Sequence, residues 1–253
     1  MQKMNDAEIK DKVRIQYAKI ALGESSSCCM PGQCCVSSSE AAQAVGYDSE
    51  DLKSIPEASV LGAGCGAPLN FADINKGETV VDLGAGAGID VFLSANRVGN
   101  EGKVIGIDMT DEMIQRARKN ANENGYTNVE FRKGDIEQEI PVEDNSVDLV
   151  ISNCVVNLTS SKGKAFRQIH RILKSGGRMV ISDLVTDREI ESEQVDAARW
   201  CSCIDGALTR EHYIESIKSA GFENVEVLQE QLYKEGDQVD GRKVTSLVIR
   251  AVK

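Results

Sequence analysis

Short apolar runs alternate, through the middle of the chain, with stretches in which apolar residues recur every three or four positions. The runs at 79–83, 103–108, 128–132, 146–152 and 178–182 read as buried strands. Between them lie helical patterns. One opens after Gly88, and another runs from Thr110 to Asn124. In the latter Thr110 caps, acids fill the first turn, Met113, Ile114, Ala117 and Ala121 face inward, and Gly125 stops it. A third covers 163–174. This alternation predicts a parallel sheet covered on both faces, a doubly wound α/β fold.

The flanks read differently. Residues 5–22 place Ile9, Val13, Tyr17 and Ile20 at helical spacing, with Asn5 or Asp6 as cap and Gly23 as stop. Ser37 and Glu40 suit a capping box for a short helix through Ala44. Downstream, Thr209 caps a helix to Ala220, and the runs 225–232 and 244–252 predict a closing hairpin at the sheet edge. The expected organisation is an N-terminal helix and cysteine-rich segment (1–60), a strand–helix core (61–185) and a C-terminal extension (186–253).

Composition narrows the partners. The chain has 253 residues, enough for one domain with attachments. Its 40 acids against 29 bases give a net charge of -11, which repels nucleic-acid backbone and anionic membrane. No apolar run approaches the ~18 residues of a membrane span, and the N-terminus lacks a signal peptide's apolar centre, so a cytoplasmic location is expected. In that compartment eight cysteines point to metal binding, redox work or catalysis rather than a disulfide framework. Half of them, Cys28, Cys29, Cys34 and Cys35, fall in one Ser/Pro/Gly-containing loop.

Ligands of an open parallel sheet sit outside the carboxyl ends of its strands, so each exit is a place to look for chemistry. The first exit is a glycine turn, Asp82-Leu-Gly84-Ala-Gly86-Ala-Gly88, whose bare amides admit a nucleotide-like group. It differs from the dinucleotide fingerprint in its glycine spacing. The second exit is Asp108-Met109, an acid for a ribose diol and a side chain for an adenine face. At the third, Asp135-Ile136, a carboxylate suits an adenine amino group. The fourth is Ser152-Asn153-Cys154. Asp-x-Gly-x-Gly-x-Gly with the distant Asp108 resembles class I S-adenosylmethionine methyltransferases. That resemblance implies a seven-stranded, mostly parallel sheet, S-adenosylmethionine as cofactor, and Asp82, Gly84, Gly86, Gly88, Asp108, Met109, Asp135, Ile136 and Asn153 as its contacts.

The cysteines sharpen the expectation. Cys154 falls beside the methyl donor, and Cys65, in Leu61-Gly-Ala-Gly-Cys-Gly-Ala-Pro68, and Cys201 or Cys203 can reach the same mouth. Thiolates select soft ions. Trivalent arsenic takes three sulfurs in a pyramid and keeps a nucleophilic lone pair at the open apex, whereas zinc prefers four ligands. Together with the glycine turn, Ser152-Asn-Cys-Val-Val-Asn-Leu158 and Cys203-Ile-Asp-Gly-Ala207 resemble the arsenite S-adenosylmethionine methyltransferases over nearly the whole chain.

The resemblance implies that Cys65, Cys154 and Cys203 bind arsenic, with arsenite or its glutathione adduct as substrate. It also implies successive methylations with thioredoxin or glutathione as reductant, and an N-terminal cysteine in a disulfide relay. Cys28, Cys29, Cys34 and Cys35 are the relay candidates, although on spacing alone they suit a zinc knuckle equally. Cys201 is an extra thiol that competes with Cys203. His170 and His212 are expected to be solvated or packed, and a lone-pair nucleophile needs no general base. Two other readings fit: a carbon or oxygen methyltransferase with packed cysteines, and a soft-metal-binding protein without turnover.

Overall fold

In the computed structural model, which describes residues 5–25, 37–191, 194–234 and 241–253, the central apolar runs form one seven-stranded sheet. The strands are β1 (Thr79–Leu83), β2 (Lys103–Asp108), β3 (Val129–Lys133), β4 (Val147–Asn153), β5 (Leu173–Thr186), β6 (Glu223–Lys234) and β7 (Val244–Val252). Their order is β3-β2-β1-β4-β5-β7-β6, and β7 runs antiparallel to both of its neighbours. The order reverses between β1 and β4, the switch point where an open sheet leaves a crevice.

Strand alternation assigns the two core layers. Val80, Leu149 and Ile151 face α4 (Ile89–Val98) and α5 (Asp111–Glu123). Val81, Leu83, Ile105 and Val150 face α6 (Lys162–Ile172) and α8 (Arg210–Lys218). The N-terminal α1 (Asp6–Leu22) packs on α5 and on the short α7 (Ala197–Cys201). Asn5 and Glu8 form a reciprocal capping box that fixes its start, and Gly23, at φ 75°, ends it. The expected Ser37–Glu40 box is present at α2 (Ser38–Ala44), and a single turn, α3 (Ser49–Lys53), follows it.

The structure departs from the sequence pattern in three places. The β5 strand extends well beyond 178–182, because β7 pairs along it from Arg178 to Thr186. The helix expected to reach 174 stops at Ile172, since Leu173 already pairs with Val147. Thr110 occupies the cap position of α5, but its side chain makes no capping bond; its amide donates to Asp108 Oδ1 at 2.8 Å instead. The cysteines of the expected thiol-rich loop, Cys28, Cys29, Cys34 and Cys35, lie outside the described residues. Among the described residues no helix is long and apolar enough to cross a membrane.

Candidate active site

The β1 exit makes the tight turn that its glycines imply. Gly84 has φ 70°, and the amides of Gly84 and Ala85 both donate to the Ile107 carbonyl, at 2.7 and 2.9 Å. A Cβ on Gly84 would lie 2.1 Å from Val155 Cγ2, so no larger residue fits. Gly86 N donates to Asp108 Oδ2 at 3.0 Å, which ties the first exit to the second.

A single cavity runs along these exits. Asp82, Gly84 and Gly86 form one wall, Asp108 and Met109 the next, and Asp135 and Ile136 the far end; Asn153 and Cys154 close it at β4. Gly88 does not line it. Its missing side chain makes room for the Phe92 ring, which a Cβ would meet at 2.6 Å, so this glycine serves helix–strand packing. Lys10, Val13 and Tyr17 of α1 also line the cavity. Asp135, expected to meet an adenine amino group, accepts from Lys10 Nζ at 2.7 Å and from Glu137 N at 2.9 Å.

Three carboxyls surround the turn: Asp82 and Asp90 are buried and Asp108 is half-buried. Burial pushes Asp82 well above the usual carboxylate range, and the neighbouring charges of Asp90 and Asp108 add to it. Burial also raises Asp90 to about 6, against the two hydrogen bonds it accepts from Tyr47 Oη at 2.8 and 2.9 Å. Asp108 is raised by burial as well, offset by the amides of Thr110 and Gly86. A dry acidic cluster of this kind favours a cationic ligand, because an added positive charge relieves the repulsion among the carboxylates. S-adenosylmethionine, with its sulfonium, ammonium and ribose diol, fits that demand.

Beyond Asn153, Cys154 alone of the three expected cysteines lines the cavity, and Cys65 and Cys203 pack with it in one buried cluster. Cys65 and Cys154 are joined as a disulfide with Cα atoms 5.8 Å apart. Cys203, 1% exposed, packs in the same apolar cluster with Leu184, Ile204, Ala207 and Val244. Its Sγ donates to the Cys154 carbonyl at 2.9 Å. The expected trio therefore comes together, with two sulfurs in a covalent pair rather than as three separate thiolates. Cys201 sits apart, half-buried, with its thiol raised by burial. Cys154 and Cys203 hold left-handed backbone, at φ 60° and 66°, which for a non-glycine residue marks a site fixed by its surroundings.

Asn153 connects the two regions. Its Nδ2 donates to Tyr47 Oη at 3.0 Å and to the Gly66 carbonyl at 2.6 Å, while its Oδ1 accepts from Cys65 N at 3.1 Å. Asp183, within β5 just past the end expected from the apolar run, brings a carboxylate oxygen within 4.8 Å of the Cys65 and Cys154 sulfurs. Burial raises Asp183 to about 7, against a hydrogen bond from Tyr213 and the charge of Lys162. Sequence reasoning passed over Asp183, although the strand-exit rule points to it. It also passed over Asp90, Lys10 and Tyr47; Tyr47, far upstream in a short loop, gives no sequence signal. His170 packs edge-on to Phe222, and the exposed His212 meets Glu189, both away from the cavity.

The chain is similar to known proteins in the same sense. A family model described as "Methyltransferase domain" matches residues 74–235. An arsenite methyltransferase of Halobacterium salinarum is 44% identical over 231 residues, 87% of this chain and 59% of the relative. The human arsenite methyltransferase is 32% identical over 82% of this chain and 56% of its own length. This chain thus spans somewhat over half the length of these relatives. The crystal structure of an arsenic(III) S-adenosylmethionine methyltransferase from Chlamydomonas reinhardtii superposes with a TM-score of 0.68. It is 31% identical, over 86% of this chain and 74% of that one. The chain belongs to the S-adenosylmethionine-dependent methyltransferases of that domain family, and its similarity to arsenite methyltransferases runs over most of its length.

Proposed function

We propose that this chain transfers methyl groups to trivalent arsenic held by Cys65, Cys154 and Cys203. The observation that carries the reading is the buried cluster of these three cysteines at the β4 end of the acidic cavity. Asp82, Asp108 and the side-chain-free surface of Gly84 and Gly86 hold S-adenosylmethionine, with Met109 and Ile136 against the adenine. Bound there, the cofactor supplies an electrophilic methyl group next to the sulfur cluster. Residues 61–185 form the donor-binding core, and 186–253 complete the arsenic site.

Arsenic loading starts with opening the Cys65–Cys154 bond. An external dithiol of the thioredoxin class, or two glutathione molecules, gives two electrons and two protons and leaves as a disulfide. The two freed thiols and Cys203 then displace three hydroxides from arsenous acid as water, or three thiols from its glutathione adduct. The protein's main contribution is positioning: three sulfurs fixed by separate segments leave the arsenic lone pair one open direction. The arsenic lone pair forms the new bond to the methyl carbon as the carbon–sulfonium bond breaks and S-adenosylhomocysteine leaves; arsenic becomes pentavalent, and closure of a disulfide between protein thiols returns the two electrons. Cys28, Cys29, Cys34 and Cys35 pass that oxidation to the external reductant.

The test is a set of single variants, Cys65→Ser, Cys154→Ser and Cys203→Ser, assayed with labelled S-adenosylmethionine, arsenite and thioredoxin. Each is expected to abolish repeated arsenic methylation while cofactor affinity stays within about twofold. Full activity of Cys154→Ser removes the reading. So does methyl transfer to a carbon or oxygen acceptor that thiol blocking leaves untouched.

A further inference from the structure

The closing strand, β7, lies beside β5 in the sheet and reaches the sulfur cluster from there. Val244 and Ser246 share one face of β7, and Arg242 precedes them at the same two-residue interval. Ser246 Oγ donates to the Cys65 carbonyl at 2.6 Å. Val244 packs among Cys65, Cys154 and Cys203. Arg242 Nη2 donates to Asp205 Oδ1 at 2.6 Å, in a pair whose side chains are 2% and 0% exposed. Asp205 lies two residues beyond Cys203.

That one carboxylate gathers the whole Cys203 segment. Its Oδ2 also accepts from Asp196 N at 2.8 Å, at the head of α7, and from Arg199 Nε at 3.0 Å. Within the segment, Cys203 N donates to the Trp200 carbonyl at 2.8 Å, and Trp200 Nε1 donates to the Leu158 carbonyl at 3.1 Å. Cys203 keeps its left-handed backbone inside this frame. A buried ion pair is poor evidence of stability, because the cost of drying two charges offsets most of their attraction; fixing a geometry is the better-supported use.

We propose that Asp205 and Arg242 are positioning residues for the thiol site: their buried pair holds the Cys203 turn against Cys154 and so places the third arsenic-binding sulfur. The proposal rests on the arsenic reading above. It goes beyond it in making the carboxy-terminal hairpin part of the reaction machinery. Ser246 acts in parallel on the Cys65 side.

The experiment uses the full chain and the variants Asp205→Asn, Arg242→Met, Arg242→Lys, the double variant Asp205→Asn/Arg242→Met, and Ser246→Ala. Thermal melts first establish that each folds. Native protein is pulsed with iodoacetamide, and mass spectrometry of the tryptic peptide Trp200–Arg210 separates modification of Cys203 from that of Cys201. Arsenite affinity is read from quenching of Trp200, the single tryptophan, on protein whose Cys65–Cys154 bond has first been opened with a phosphine reductant, and cofactor affinity by calorimetry.

In both neutralising single variants Cys203 should react at least about tenfold faster than in wild type, and arsenite affinity should fall by about tenfold or more, with cofactor affinity moving less than about twofold. Arg242→Lys should lose less on each measure, and Ser246→Ala should label Cys203 at the wild-type rate. The double variant strands no fully buried charge, since Arg199, the other partner of Asp205, is 28% exposed and can be solvated; fast labelling there shows that the lost geometry matters, whereas a return to the wild-type rate overturns the proposal. Wild-type labelling in a folded single variant overturns it as well, as does faster labelling with unchanged arsenite affinity. If wild type binds no arsenite, the arsenic reading fails, and the labelling rates still decide whether the pair holds Cys203.

Discussion

The two ends of the cavity are built by opposite means. At the β1–β2 end, ligand-facing groups come from adjacent strand exits and are held by main-chain bonds, such as Gly84 N and Ala85 N on the Ile107 carbonyl. At the β4–β5 end, the cysteines come from segments far apart in the chain and are held by side chains: Asn153 and Ser246 on the Cys65 loop, Asp205 and Arg242 on the Cys203 turn. A main-chain site tolerates many neighbouring substitutions but few changes at its glycines. A site held by side chains has its weak points spread over residues that never touch the ligand.

The first way to break the contrast is at Gly84, where the two ends meet. An added side chain there is strained at φ 70° and runs into Val155, the residue after Cys154. Positive-φ strain in a non-glycine residue costs about 1–3 kcal/mol before any clash is counted. Gly84→Val is therefore expected to weaken S-adenosylmethionine binding by about a hundredfold, near 3 kcal/mol, and to lower arsenite affinity as well. Calorimetric titration of both ligands checks this. Loss of cofactor binding with arsenite affinity intact would show that the turn does not reach the sulfur end.

A smaller effect is expected at Asn153, whose side chain is bonded to groups of both ends. Asn153→Ala deprives Tyr47 Oη, the Gly66 carbonyl and Cys65 N of a partner. An unsatisfied buried polar group costs about 1–3 kcal/mol, partly recovered by water. The expected result is about a tenfold rise in KM for both substrates with kcat reduced less. A rise for the cofactor alone would place Asn153 in the donor site only.

What the sequence revealed follows the same division. The strand–helix alternation, the glycine turn, Asp108 and the strand-end positions are local patterns, and each is legible because a few consecutive residues carry it. Gly88 marks the limit of such patterns, because a glycine that packs under Phe92 and one that faces a ligand look alike in sequence. The cysteines were legible as residue types through resemblance to a family. Their pairing was not, since no spacing rule tells a joined pair from separate thiols. Asp205 with Arg242, and Tyr47 with Asp90, were beyond reach: each pair depends on tertiary contact between distant segments, and only the folded chain brings the partners together.

The smallest expected effect sharpens the account of the acidic end. Asp90 is faced by Tyr47 Oη on both oxygens, by Arg97 from its own helix and by Asp82 across the turn. An unfolded Asp titrates near 3.9, and burial raises Asp90 to about 6, so the ligand-free fold prefers the protonated acid. Its contribution to stability is complete below about 3.9 and is lost as pH rises through about 6. A cationic ligand reverses the preference by stabilising the carboxylate. Ligand-free protein should therefore lose Tm between pH 5.5 and 7.5 relative to Asp90→Asn, while S-adenosylmethionine affinity rises by about fourfold, the ratio of ionised fractions for a group titrating near 6. In Asp90→Asn this part of both pH dependences should vanish. Parallel profiles for the two proteins would mean that Asp90 does not sense the ligand's charge, and the acidic turn would then be structural rather than an attractor for the cofactor.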